Sequence, residues 1–203
     1  MNHAMIRHTI GVVLKLEAVF MLPSVVVALI YMEIRALTAF LISIAACAAL
    51  GFFMSRKKPK NTLFFAKEGF VMVALSWIVM SIFGALPFVI SNDIPNFVDA
   101  LFETISGFTT TGASILTNVE ALNKSCMFWR SFTHWIGGMG VFVLILAILP
   151  MADSSLHILK AESPGPSVGK LVPKIRDTAK ILYMIYIVMT LIQIVLLCLA
   201  KMP

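Results

Sequence analysis

The sequence predicts an all-α integral membrane protein, and three observations carry that reading. Of its 203 residues, 60% are hydrophobic and only 13% charged, with a mean hydropathy of +0.96. A soluble domain is about half apolar and about a quarter charged. Apolar runs recur at the length of about 20 residues that a helix needs to cross the hydrocarbon of a bilayer. The charges gather in short segments between those runs, so the net charge of +6 reads as membrane topology rather than as a basic face for nucleic acid.

The elements follow in order. The first span is Ile10 to Tyr31, with Lys15 and Glu17 placed near the inner headgroups. Its apolar run is long, carries Lys15 and Glu17 and is followed by no small-residue cleavage site, so it is not expected to be a cleavable signal. The second span is Leu37 to Met54, and the basic stretch SRKKPK at 55–60 comes after it. The third runs from Gly69 to Ile90, with Glu68 in its first turn, where the helix dipole favours an acid, and Pro87 marking its exit. The fourth is Phe128 to Met151, and the fifth is Ile181 to Ala200. Between these two lies the polar segment DSSLHILKAESPGPSVGKLVPKIRDTAK. Placing the N-terminus in the cytoplasm puts Arg7, Lys15, the lysines and arginine of 55–67 and those of 160–180 inside. Only Arg35, Lys124, Arg130 and Lys201 then lie outside, which is the bias that loop charge imposes on orientation.

The segment from Ser91 to Met127 is then external. Within it NFVDALFETISGF is apolar at helical spacing (Phe97, Ala100, Leu101, Ile105, Phe108) but too short to cross. It is either an amphipathic helix on the outer interface or a half-helix that dips in and returns. Irregular backbone at membrane depth is tolerated where it lines a water-filled path or is buried in protein. GFTTTGAS at 107–114 has the composition for such a return. Extended backbone over Thr109, Thr110, Thr111 and Gly112 would present successive carbonyl oxygens, which replace the hydration shell of a small cation. Gly112 permits backbone angles closed to other residues, and Gly107 is expected to end the half-helix in a left-handed cap. The negative end of the half-helix dipole would face the cavity and favour a cation. Span, half-helix, oxygen-rich loop and span make the plan of a cation pore unit. In WIGGMG, at the fourth span, Gly137, Gly138 and Gly140 admit another backbone, either in generic helix packing or against the half-helix.

Other chemistry finds little support. Cys47, Cys126 and Cys198 form no C-x-x-C pair and read as packing residues. His134 has no second ligand at metal spacing, and with Trp135 it reads as an interface residue. Arg130 reads as a snorkelling side chain. Glu103 is expected to bond backbone groups behind the loop, and Asp99 to cap the half-helix or stay solvated at its water-facing end. Ser106 with His134 is the one nucleophile–base pairing that can be drawn. Nothing orients it, and Ser106 reads as bonding its own helix, so the chain is not expected to be an enzyme.

Six motifs then carry a resemblance: EGF at 68–70, GALPF at 84–88, DALFETISGFTTTGA at 99–113, WIGGMG at 135–140, ILP at 148–150 and AESPGP at 161–166. In this order they resemble the Trk/Ktr/HKT superfamily of potassium transporters, on its TrkH branch, over the whole chain. The resemblance implies four span–pore-loop–span repeats around one pathway, after a leading helix pair. Residues 1–60 would be that pair with its basic cytoplasmic loop. Residues 61–152 would be the first repeat, with pore helix 96–107 and filter 109–113. Residues 153–180 would form a cytoplasmic loop, and 181–203 the first helix of a second repeat. Gly112 matches the filter glycine, and Thr109, Thr110 and Thr111 match the residues before it, their carbonyls facing K+. No cofactor is implied. The implied partners are potassium, the remaining repeats or a same-family chain (a homodimer in the family), membrane lipid, and a cytosolic ring of nucleotide-binding regulatory subunits. The implied location is the bacterial inner membrane. Members are more than twice this length, so the chain is expected to be part of a longer protein. A non-conducting or regulatory membrane fragment, or a homo-oligomeric cation channel, is the alternative.

Overall fold

The structure is a computed structural model that describes residues 3–57, 66–140 and 175–200. The fourth span beyond Gly140, the ILP and AESPGP motifs and most of the polar segment at 153–180 lie outside these residues. Every regular element among the described residues is helical: α1 (His3–Phe20), α2 (Leu22–Ile30), α3 (Ile34–Ser55), α4 (Ala66–Ser91), α5 (Phe97–Phe108), a 3-10 turn at Val119–Ala121, α6 (Lys124–Met139) and α7 (Ile175–Leu199). The contacts divide the chain into two compact units, Met1–Gly138 and Met139–Pro203.

Among the described residues four helical stretches are long and apolar enough to cross a membrane: His3–Ile30, Ile34–Ser55, Gly69–Ser91 and Ala179–Leu199. Together α1 and α2 form the first of these, interrupted at Met21, where Pro23 enters the first turn of α2 and withholds a backbone donor. Pro87 does not mark an exit: it sits inside α4, which continues to Ser91. The helices of the first unit expose Phe52, Phe53, Phe70 and Ile78, as side chains bathed in lipid do, while Leu14, Phe40, Met72, Met80, Phe88 and Trp129 are buried.

Close approach of backbones joins α1 to α3. A Cβ on Gly11 would lie 2.8 Å from the Gly51 carbonyl oxygen, and one on Gly51 would lie 2.8 Å from that of Gly11. Without a hydrophobic drive between helices in lipid, such small-residue contacts are what bring them together. Lys15 is exposed and lays its stem over Gly51, as expected for a residue near the headgroups. Glu17 corrects that expectation, because it turns inward and is fully buried. One-dimensional spacing gives distance along a helix but not which side the neighbours cover.

At the opposite end of the unit the loops are locked by polar contacts. Both oxygens of Glu33, just before α3, accept hydrogen bonds from the first turn of α6. The Lys124 amide reaches Oε1 at 2.6 Å and the Ser125 amide reaches Oε2 at 3.0 Å. A helix N-terminus has unsatisfied amides and a positive dipole end, and here the cap comes from a distant segment rather than from the preceding residue. Beside it, Asn123 Nδ2 donates to Asp93 at 2.9 and 3.0 Å, tying the start of α6 to the end of α4. Cys47 and Cys126 are buried, whereas Cys198 on α7 is exposed and is not a packing residue.

Candidate functional site

The half-helix α5 begins at this locked end. Asn96 caps it, its side-chain oxygen accepting from the Val98 amide at 2.9 Å. Asp99, expected as the cap, instead lies in the first turn, where its charge suits the dipole. Ala100, Thr104 and Phe108 pack inward. The far end of α5 reaches the middle of α4. Phe108 packs against Trp77, with ring centroids 5.8 Å apart, and a Cβ on Gly84 would meet Thr104 Cγ2 at 2.9 Å and Phe108 Cε2 at 3.1 Å. Gly84 is two turns inside the Ser91 end of α4, a depth of about 10 Å at 1.5 Å per residue. The chain then climbs back to Asn123, beside Asp93. This is the geometry of a half-helix that enters and returns, rather than one lying across the end of the bundle.

Gly137 of α6 supports the floor of this structure. A Cβ there would run into the Phe108 carbonyl and lie 3.0 Å from the Gly107 carbonyl oxygen, so glycine lets α6 pass against the end of α5. Gly107 has the same use, since a side chain there would collide with Thr133. It is not the left-handed cap. The turn that ends α5 has Thr110 at φ 55°, with the Thr110 amide bonded to the Gly107 carbonyl and the Thr111 amide to the Ser106 carbonyl, both at 2.9 Å. This is a Schellman motif in which threonine occupies the position that usually falls to glycine. Gly112 does adopt positive φ, at 76°, and nothing lies within 4 Å of where its Cβ would be.

Residues Thr109 to Ser114 are all exposed, and side chains on both sides hold them. Thr109 Oγ1 donates to the Ile105 carbonyl at 2.8 Å and lies 2.8 Å from Thr111 Oγ1. Ser106 Oγ donates to the Ala113 carbonyl at 2.6 Å, across the turn rather than within its own helix. Glu103 is the anchor of the return strand. Its Oε1 accepts from Ser114 Oγ at 2.6 Å and from the Ile115 amide at 2.7 Å, and its Oε2 pairs with Arg130 Nε at 2.7 Å. Arg130 is therefore a partner of the loop anchor and not a snorkelling residue, its side chain only 14% exposed. Burial raises the proton affinity of Glu103, but the bonds from Ser114, Arg130 and Ile115 outweigh it and hold the carboxyl below its ordinary range. The role expected for Glu103 is the one it has.

The remaining candidates separate. His134 Nδ1 lies 2.9 Å from the Arg130 carbonyl oxygen and forms no pair with Ser106, whose hydroxyl is committed to Ala113. Among the described residues no cluster of His, Cys, Asp and Glu could hold a metal ion.

A family model described as TrkH, cation transport protein, matches residues 16–202. The chain belongs to the TrkH family of cation transport proteins. It is 38% identical to the Trk system potassium uptake protein TrkH of Vibrio parahaemolyticus, covering 100% of this chain and 42% of that protein. It is 36% identical to the Trk system potassium uptake protein TrkG of Escherichia coli, over 98% of this chain and 41% of that protein. An uncharacterised cation transporter of Methanocaldococcus jannaschii is 35% identical, over 96% and 40% respectively. The crystal structure of the potassium transporter TrkH from Vibrio parahaemolyticus superposes with a TM-score of 0.78 at 34% identity, covering 100% of this chain and 41% of that one. The chain thus spans about two fifths of the length of these relatives. Membership sets it among multi-pass membrane transport proteins and not among enzymes.

Proposed function

We propose that this chain forms one part of the pathway of a Trk-type potassium transporter in the bacterial inner membrane. The N-terminus lies in the cytoplasm and the Glu33–Asp93 end faces out. Residues 1–60 are the leading helix pair, 61–152 the first pore unit, 153–180 a cytoplasmic loop and 181–203 the first helix of a second unit. Potassium sheds water on entering and is coordinated by the backbone carbonyls of Thr109, Thr110, Thr111 and Gly112. The observation that supports this is the exposed Thr109–Ser114 loop, held at the depth of mid-α4 by Glu103 and Ser106, in a chain whose relatives are potassium uptake proteins. The negative end of the α5 dipole points to the same region.

One loop cannot ring an ion. The remaining pore units come from further chain or from a same-family partner, with a homodimer as the assembled form. A cytosolic nucleotide-binding subunit acts on the loops at 55–67 and 153–180.

Rubidium uptake in potassium-uptake-deficient cells tests the reading. The chain alone is expected to be silent, and co-expression with the missing units to restore uptake. Gly112→Ser is expected to abolish the restored uptake. At φ 76° serine costs about 1 kcal/mol of backbone strain, but its Cβ meets no atom of the described residues within 4 Å, so the loss would report the ion path rather than packing. Uptake by the lone chain would establish a homo-oligomeric channel instead. Silence in both settings would leave a non-conducting fragment.

A further inference from the structure

The polar group least accounted for in the first unit is Glu17. It is fully buried, and neither of its carboxylate oxygens has a hydrogen-bond partner among the described residues. A buried, unpaired carboxylate is so unfavourable that it takes up a proton or a counter-charge. No cation faces it. Lys15, on its own helix, is exposed and turned along Gly51. From α3 the facing titratable group is Cys47, which is near enough to interact with it electrostatically. From α5 the residues gathered with it around Gly84 of α4 are Thr104 and Phe108, neither of which titrates.

The position matters more than the burial. A Cβ on Gly84 would lie 3.2 Å from Glu17 Oε1 and would touch Thr104 and Phe108 as well. The Gly84 carbonyl accepts a hydrogen bond from Trp129 Nε1 at 2.9 Å. The carboxyl group is therefore wedged at a glycine where α1, α4, α5 and α6 converge, directly behind the last turn before the Thr109–Gly112 loop. Binding a proton there requires no cavity.

We propose that Glu17 is a proton-binding site whose charge state is coupled to the seating of α5. With its proton, the neutral acid is tolerated against Gly84, Thr104 and Phe108. When the proton passes to water, the charge left behind must find water or a cation, and the contact between α1, α4 and the end of α5 loosens. This does not require the lone chain to conduct.

The test uses the purified chain in lipid nanodiscs. Infrared spectroscopy near neutral pH is expected to show the carbonyl stretch of a neutral carboxylic acid, and the band is expected to vanish in Glu17→Gln. A spectrum with no such band, or one unchanged in Glu17→Gln, overturns the proposal. If the variant does not fold, wild-type chain labelled with carbon-13 glutamate gives the same decision, since the band must shift with that label and not with labelled aspartate. The coupling is read by amide hydrogen exchange. Once exchange is divided by the intrinsic amide rate, which itself rises with pH in any protein, raising the pH until the band disappears is expected to lower the protection of α5 about tenfold or more in wild type while leaving that of Glu17→Gln unchanged, tenfold being the effect of one pH unit on a linked equilibrium. Equal exchange in the two proteins would show that the site is not coupled to α5.

Discussion

Threonine at φ 55° carries a steric conflict between its branched Cβ and the backbone that glycine lacks. Thr110→Gly is therefore expected to stabilise the turn by up to about 1 kcal/mol, offset in part by the entropy glycine loses on folding. Thermal unfolding in detergent would register it as a small rise or no change, and a clear fall would contradict the strained assignment. Glu103 gives a larger effect. Glu103→Gln or Arg130→Met each strands a buried partner and should cost about 2–3 kcal/mol, with the double variant costing less than the sum. Because Glu103 is held below the ordinary carboxylate range, its contribution is complete at neutral pH and lost as pH falls through that lowered value. The acid limb of the stability curve should flatten in Glu103→Gln. These residues also mark where sequence reading stops. The oxygen-rich loop and the anchoring role of Glu103 were legible from composition and spacing. The Arg130 partner, 27 residues away, and the inward turn of Glu17 depend on neighbours that periodicity does not name. Gly107 misled because both a cap and a close helix contact call for glycine.

Among the elements, the pairing of α1 with α3 depends on two glycines facing each other. Gly51→Leu would press a side chain onto the Gly11 carbonyl and the Lys15 backbone, neither of which can swing aside. The helices must separate, at a cost of about 1–3 kcal/mol. Ala49→Leu makes a comparison at an exposed position of the same helix. Thermal unfolding should fall clearly for the first, and an unchanged value would argue against the crossing. Element lengths were the most legible feature: the half-helix expected at 96–107 is Phe97–Phe108, and the span expected at Leu37–Met54 is Ile34–Ser55. A bilayer sets length, and length is written in apolar runs. The break at Met21 and the passage of α4 beyond Pro87 were less legible, because a proline near a helix end leaves both outcomes open.

For the whole molecule, the opposed ends of the first unit make a topological prediction. In a Cys198→Ser background, Asn92→Cys should react with an impermeant thiol reagent added outside intact cells, and Lys57→Cys only after the membrane is opened. The reverse pattern would invert the orientation. Cys47 and Cys126 are buried and should stay silent in both settings. The contact between Glu33 and the start of α6 has a consequence in time. The two partners are separated by 91 residues. A ribosome adding about 5–20 residues per second delivers the second about 5–20 s after the first. During that interval the Glu33 carboxylate lacks the α6 amides that it caps in the folded unit. The last helix of the first unit is thus received by a loop from the earliest part of the chain, and its first turn cannot be completed before the leading pair is in place.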